Sequence, residues 1–203
     1  MSFHACSVNT CGLYFLGDPV KTIYLSAGHS NADPGVVRTA VKNRDGKVVA
    51  AERREADIAV EFRNMVSLYL FRAGIKHDTD GKGTENYPLN RAATVARKHD
   101  IAVEFHCNAG PATATGSETF SAPKTLALAA QLSRAVSSGL NIRDRGAKPE
   151  NAGQHSRLAF VQAGGIIVEL FFITNRGDLK GWYDRKWLAA RNVANVLTEW
   201  ARK

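Results

Sequence analysis

The run GGIIVELFFITN, residues 164–175, constrains the fold more than any other stretch of the chain. An apolar segment this short and continuous reads as a strand buried on both faces, and such a strand needs helices above and below it. Its one interruption is Glu169. A lone carboxylate in that setting is desolvated, which raises its pKa and suits it to act as a general base.

The rest of the chain supplies the layers. After residue 20, strand-like and helix-like segments alternate: a strand at 21–25, a helix at 52–72 closed by Gly74, a short strand at 75–77, and a helix at 88–98 with Pro88 in its first turn. A strand at 101–106, another at 116–120, a helix at 124–139, the strand around Glu169 and a final amphipathic helix at 185–201 complete the order. This alternation predicts an α/β domain with a largely parallel sheet and helices on both faces. The stretches 28–51, 78–87 and 141–156 are rich in Gly, Asn, Asp and Pro and are expected to be surface loops. No repeat or low-complexity linker divides the chain, so residues 21–203 are expected to form one domain.

Composition narrows the partners. The net charge of +8 and pI near 9.6 call for an acidic partner. The basic residues lie in ones and twos, as at Arg53-Arg54, Arg97-Lys98 and Arg185-Lys186, which fits a cationic surface drawn to an anionic envelope better than a nucleic-acid tail. No stacking motif or clustered basic helix supports nucleic-acid binding. Three cysteines at irregular places imply no disulfide framework, and the apolar runs fall short of the roughly 20 residues that cross a bilayer. Residues 1–20 lack the basic start and small-residue cleavage site of a signal peptide and read as an irregular extension. His4, Cys6 and Cys11 within it lack a fourth partner for a metal site.

Three further segments carry chemistry. In LSAGHSNADPG, residues 25–35, a strand ends in His29 between Gly28 and Gly35. One histidine there is ordinarily a hydrogen-bonded turn residue, so partners are required. In the helix that follows, Glu55, Ala59, Phe62, Val66 and Tyr69 fall on one apolar stripe, which turns the carboxylate of Glu55 toward the sheet. The alternative is a first-turn glutamate favoured by the helix dipole, which suits Glu52 and Glu61 better. In IAVEFHCNAG a second strand ends in a histidine, His106, with Glu104 on its face and Cys107 on the other. Two histidines and a glutamate, with a second glutamate beside an open position, form the donor pattern of a hydrolytic zinc site that attacks an amide or ester.

LSAGHSNADPG, RREADIA, YPLNRAATVARKHDIAVEFHCNA, GSETF, DRGAK and VELFFITN, in this order, resemble the motifs of the zinc-dependent N-acetylmuramoyl-L-alanine amidases of the autolysin and phage endolysin type. The resemblance covers roughly residues 21–201. It implies a six-stranded sheet and cleavage of the amide between N-acetylmuramic acid and L-alanine of the peptidoglycan stem. It also implies one Zn²⁺ per chain on His29, Glu55 and His106, and Glu169 as the catalytic glutamate. Arg91 and Asn108 match family positions, with structural or supporting roles expected.

The chain also departs from the family. The usual aspartate, proline and glycine before the first histidine are Ser26, Ala27 and Gly28, and the usual serine two residues before the second is Glu104. Glu104 could add charge, serve as an alternative ligand or pair with a basic neighbour. Leu170-Phe171-Phe172 replaces a glycine-containing stretch after the catalytic glutamate, which makes the wall beside the base more apolar. GSETFSAPKTLALAAQ leaves no room for a blocking helix after the 116–120 strand. The expectation is a monomeric, constitutively active phage or prophage endolysin, made in the cytoplasm and acting on the cell wall. A zinc peptidase or deacetylase on the same scaffold, or a non-catalytic wall-binding protein, are the alternatives.

Overall fold

Glu169 lies on an interior strand of a six-stranded sheet. The computed structural model describes residues 21–30, 32–152 and 156–203. Its sheet strands are β1 (Ile23–Ala27), β2 (His77–Thr79), β3 (Ile101–Asn108), β4 (Ser117–Ser121), β5 (Asp144–Pro149) and β6 (Ile166–Phe172), in the spatial order β2-β1-β3-β6-β4-β5. Every neighbouring pair is parallel except β6 with β4. The helices are α1 (Glu55–Arg72), α2 (Leu89–Ala96), α3 (Leu126–Leu140), α4 (Ala159–Gln162) and α5 (Arg176–Ala201). The chain is thus a single α/β domain with a mostly parallel sheet, as its alternating segments predict. Among the described residues no helix is long and apolar enough to cross a membrane.

Strand alternation divides the sheet into two unequal faces. Ile101, Val103, Phe105 and Cys107 of β3, with Leu25, Val168 and their neighbours, pack against α1, α3 and α5 in the larger core. Phe62, Phe105, Phe171 and Trp182 are each at most 1% exposed and meet ring to ring at 5.0–5.9 Å, pairings that add about 0.5–1.5 kcal/mol each beyond area burial. Gly139 lets α3 and α5 approach closely, because a Cβ there would stand 2.3 Å from the Ala189 backbone. On the other face Tyr24, Ala102 and Ile167 meet the short helices α2 and α4, and Tyr24 also stacks on His99 at 5.3 Å. Ser26, Glu104, His106 and Glu169 belong to this thinner side by the same alternation.

Several element boundaries differ from expectation. The stretch 141–156, expected to be a loop, contains β5; its sequence DRGAKP has a glycine, a proline and three charges, which a strand tolerates only at a sheet edge. The loop expected at 28–51 contains short ribbons, pairing Val37–Arg38 with Arg53–Arg54 and Val41–Lys42 with Val48–Ala50. The first of these delays α1 to Glu55, three residues later than expected. β2 begins at His77, because Ile75 is used instead as a buried plug whose N–H donates to the Leu70 carbonyl. α5 starts at Arg176, well before residue 185: the Asn175 side chain accepts from the N–H groups of Gly177 and Asp178 and caps it. Gly177 and Gly181 hide this start from a propensity reading. The extension expected at residues 1–20, with His4, Cys6 and Cys11, lies outside the described residues.

Candidate active site

β1 ends against β3 through the Gly28 N–H, which donates to the Phe105 carbonyl at 2.8 Å. His29 follows in the left-handed region, with φ of 65°, an uncommon conformation for a residue with a Cβ. The Asn86 side chain holds this turn by donating to the carbonyls of Ala27 and His29. The imidazole of His29 has Nδ1 3.1 Å from Asp33 Oδ2, and its Nε2 stands 3.1 Å from Glu55 Oε1.

Glu55 is the first residue of α1 and is 2% exposed. Its Oε2 accepts from the Val36 N–H at 3.0 Å and its Oε1 from the Cys107 N–H at 2.9 Å. The backbone of two other segments therefore aims this carboxylate. The Nδ1 of His106 approaches the same Oε1 at 3.1 Å, and the ligating atoms of His29, Glu55 and His106 all lie within 4.8 Å of one another. Gly28 and Gly35 make room: a Cβ on Gly28 would lie 2.2 Å from His106 Cε1, and one on Gly35 would lie 2.6 Å from His29 Cδ2.

The electrostatics of the trio suit a cation. Burial alone would raise the pKa of Glu55, but its contacts with His106 and His29 outweigh that and hold the carboxyl well below the usual range. The hydrogen bond to Glu55 raises His29. Burial opposes charge on His106, yet Glu104 and Glu55 overcome it and raise that imidazole well above its ordinary value. The carboxylates thus favour positive charge at the two imidazoles, and a divalent ion can supply that charge instead. Ligands about 2.0–2.1 Å from one tetrahedral ion stand about 3.3 Å apart. The two nitrogen-to-oxygen distances of 3.1 Å are close to that spacing.

Glu169 stands beside this group, with its Cα in register with His106 on one side and Glu118 on the other. Its Oε2 is sealed from solvent and makes no hydrogen bond among the described residues. Burial pushes its pKa up to about 7. Glu118, 4% exposed, accepts from Asn108 Nδ2 at 2.8 Å, from Lys148 Nζ at 2.6 Å and from Arg145 Nε. Those two cations outweigh its burial and lower its pKa. A cleft of about 690 Å³ runs from His29, Glu55 and His106 past Glu169 to Phe172 and Arg145.

The four residues isolated from the sequence thus share one cleft, and Asn108 lines it through its bond to Glu118. Glu104 lies behind His106, with Oε1 3.1 Å from Nε2. Arg91 does not line the cleft; it is exposed on α2 with its guanidinium 3.6 Å from the Tyr87 ring centroid, a structural contact. Glu52 is exposed and Glu61 pairs with Lys186, as first-turn or surface glutamates do. Sequence reading missed Asp33, Glu118, Arg145 and Lys148. Glu118 and the DRGAK cations were open to inference only from β4 and β5 being neighbours, which the glycine and proline of β5 obscured.

An α/β sheet that presents a His–Glu–His donor group and a desolvated carboxylate at the carboxyl ends of its strands has the equipment of a hydrolase. The chain belongs to the N-acetylmuramoyl-L-alanine amidase family, whose pattern matches residues 23–199, and family membership makes peptidoglycan the substrate. Among solved structures it is similar to an N-acetylmuramoyl-L-alanine amidase, by designation, from Neisseria meningitidis: 42% identity, a TM-score of 0.76, and coverage of 89% of this chain and 96% of that one. The catalytic domain of the amidase CwlV from Bacillus (Paenibacillus) polymyxa var. colistinus shares the fold at 17% identity, with a TM-score of 0.72 over 89% of this chain and 97% of that one. The uncharacterized protein YqiI of Bacillus subtilis (strain 168) is 28% identical over 163 residues, 78% of this chain and 73% of that protein.

Proposed function

We propose that this peptidoglycan amidase hydrolyses the bond between the lactyl group of N-acetylmuramic acid and L-alanine, with one zinc ion on His29, Glu55 and His106 and with Glu169 as general base. The observation that carries the reading is the buried Oε2 of Glu169, which makes no hydrogen bond among the described residues, next to three converging donors. When bound, the ion supplies Lewis acidity, making water acidic enough to ionise near neutral pH and stabilising charge on the carbonyl oxygen. Glu169 takes the proton from water and returns it to the departing amine nitrogen of L-alanine. Arg145 and Lys148, anchored by Glu118 at the far wall of the cleft, offer positive charge to the carboxylates of the stem peptide.

Mass spectrometry of the material released from isolated peptidoglycan, with and without a chelator, tests this directly. Chelator-sensitive release of free stems beginning with L-alanine is expected. Shortened stems still attached to sugar would mean a zinc peptidase, loss of acetyl groups a deacetylase, and no release a wall-binding protein.

The donor group also depends on Gly28. Gly28→Ala forces the His106 ring aside, since the added Cβ falls within 2.5 Å of three ring atoms. Zinc affinity is expected to fall by at least about tenfold, as when a ligand's supporting contacts are lost; competition against a chromophoric chelator measures it.

We assign the biological role to a phage or prophage endolysin. The net charge of +8 favours dwell on an anionic envelope. Cells expressing the protein should keep their turbidity until the membrane is permeabilised and then lyse; lysis on expression alone would contradict the assignment.

A further inference from the structure

Glu104 is the carboxylate that neither the ligand set nor the base accounts for. It precedes His106 by two residues on the same face of β3 and is 3% exposed. Its Oε1 lies 3.1 Å from His106 Nε2, while Nδ1 of the same ring lies 3.1 Å from Glu55 Oε1. One imidazole is therefore spanned by two carboxylates, one at each nitrogen. Glu104 sits on the side of the ring away from Glu55, which makes it a partner of a ligand rather than a ligand.

The second oxygen of Glu104 is held as well. Its Oε2 accepts from Ser26 Oγ at 3.0 Å, and Ser26 is the residue paired with Glu104 across β1 and β3. The same hydroxyl stands 3.1 Å from Asp80 Oδ2. Asp80 accepts from the Ala27 N–H at 2.9 Å and from Arg63 Nη1 at 2.5 Å, and both members of that ion pair are fully buried. Arg63 in turn donates to the Glu85 and Gly83 carbonyls. The Ser26 hydroxyl has one proton for two carboxylates, so the polar row from Arg63 through Asp80 and Ser26 to Glu104, which ends on the back of His106, is joined at Ser26 by a shared proton.

We propose that Glu104 is a positioning residue for His106. Its Oε1 accepts the Nε2 proton, selects the tautomer that leaves the Nδ1 lone pair facing Glu55, and strengthens that nitrogen as a donor. The buried chain behind it prevents rotation of the carboxylate into the cleft. His29 has an analogous partner in Asp33, but that side chain is 70% exposed and shares its carboxylate with water. His106 is the more firmly held of the two. This proposal rests on the zinc reading above and extends it to the residue that sets the ion's affinity.

The test uses the full chain as wild type, Glu104→Gln and Ser26→Ala. The zinc dissociation constant is measured by competition with a chromophoric chelator, folding of the metal-free proteins by circular dichroism, and the imidazole signals of the zinc-loaded proteins by long-range ¹H–¹⁵N NMR. Glu104→Gln is expected to weaken zinc binding about 10–100-fold and to shift the His106 Hε2 signal upfield. Ser26→Ala should move both readouts in the same direction by a smaller amount. Zinc affinity within twofold of wild type and an unmoved Hε2 signal in Glu104→Gln would overturn the proposal. Should Glu104→Gln fail to fold, Ser26→Ala decides: weakened zinc binding supports the proposal and unchanged binding overturns it. A wild-type protein that binds no zinc would instead overturn the ligand assignment itself.

Discussion

Glu169→Gln should abolish hydrolysis while leaving zinc bound. Removing a general base at the reacting water typically costs about 10²–10⁴-fold in rate, and kcat on purified peptidoglycan fragments, together with zinc content, reads both halves of the expectation. Loss of metal in this variant would make Glu169 a ligand. The pH profile follows from the same residue. A base works only when ionised, so activity is expected to fall as pH drops below the Glu169 pKa. That value is about 7 in the metal-free protein, and a bound cation lowers it.

The same shift carries a stability signature with the opposite sense. In the folded, metal-free protein burial holds the Glu169 proton to about pH 7, whereas the unfolded chain releases it near the ordinary 4.5. The folded pKa is raised, so the stability linked to this group is complete below about 4.5 and is lost as pH rises through about 7. At order of magnitude this amounts to about 3 kcal/mol. Urea unfolding of metal-free protein at pH 8 should therefore find Glu169→Gln more stable than wild type by up to that amount, alongside its loss of activity. A less stable variant would mean that the carboxylate is solvated and not desolvated.

Arg63→Met is the second large expectation. It leaves Asp80 charged, fully buried and without its cation, and breaking such a pair from one side costs about 3–5 kcal/mol. Burial already pushes the Asp80 pKa up even with Arg63 beside it. Urea unfolding of the metal-free variant against wild type measures the loss. Converting Asp80 to leucine in the Arg63→Met background should recover part of it, because the stranded charge is then removed. A single variant as stable as wild type would show that Asp80 takes up a proton at no cost.

How much of this was legible in the sequence depends on whether a residue's neighbours are local. His29 and His106 each stand within two residues of a strand's carboxyl end, and Glu55 interrupts an apolar stripe; strand and helix periodicity singled them out. Glu169 was visible because a charge inside GGIIVELFFITN has no bland explanation. The Arg63–Asp80 pair was not visible, since an arginine in a helix and an aspartate in a loop look like solvated surface until their elements pack. β5 was missed for a related reason: an edge strand needs little β-propensity when its neighbour supplies the pairing. Its loss from the reading hid Arg145 and Lys148, and with them the far wall of the cleft. Arg91, a motif position with a structural or supporting role expected, lies on the Tyr87 ring away from the cleft.

The pairing of Ser26 with Glu104 across β1 and β3 alters how kinship with the family should be scored. Where the resemblance read from the sequence leads one to expect an aspartate before the first histidine and a serine before the second, this chain has Ser26 and Glu104. Taken along one rung of the sheet, the acid and the hydroxyl stand on opposite strands from that expectation. A comparison that treats columns as independent counts two differences where the rung holds one acid and one alcohol. Anyone grafting this domain onto a relative's sequence should therefore transfer positions 26 and 104 as a single unit of inheritance.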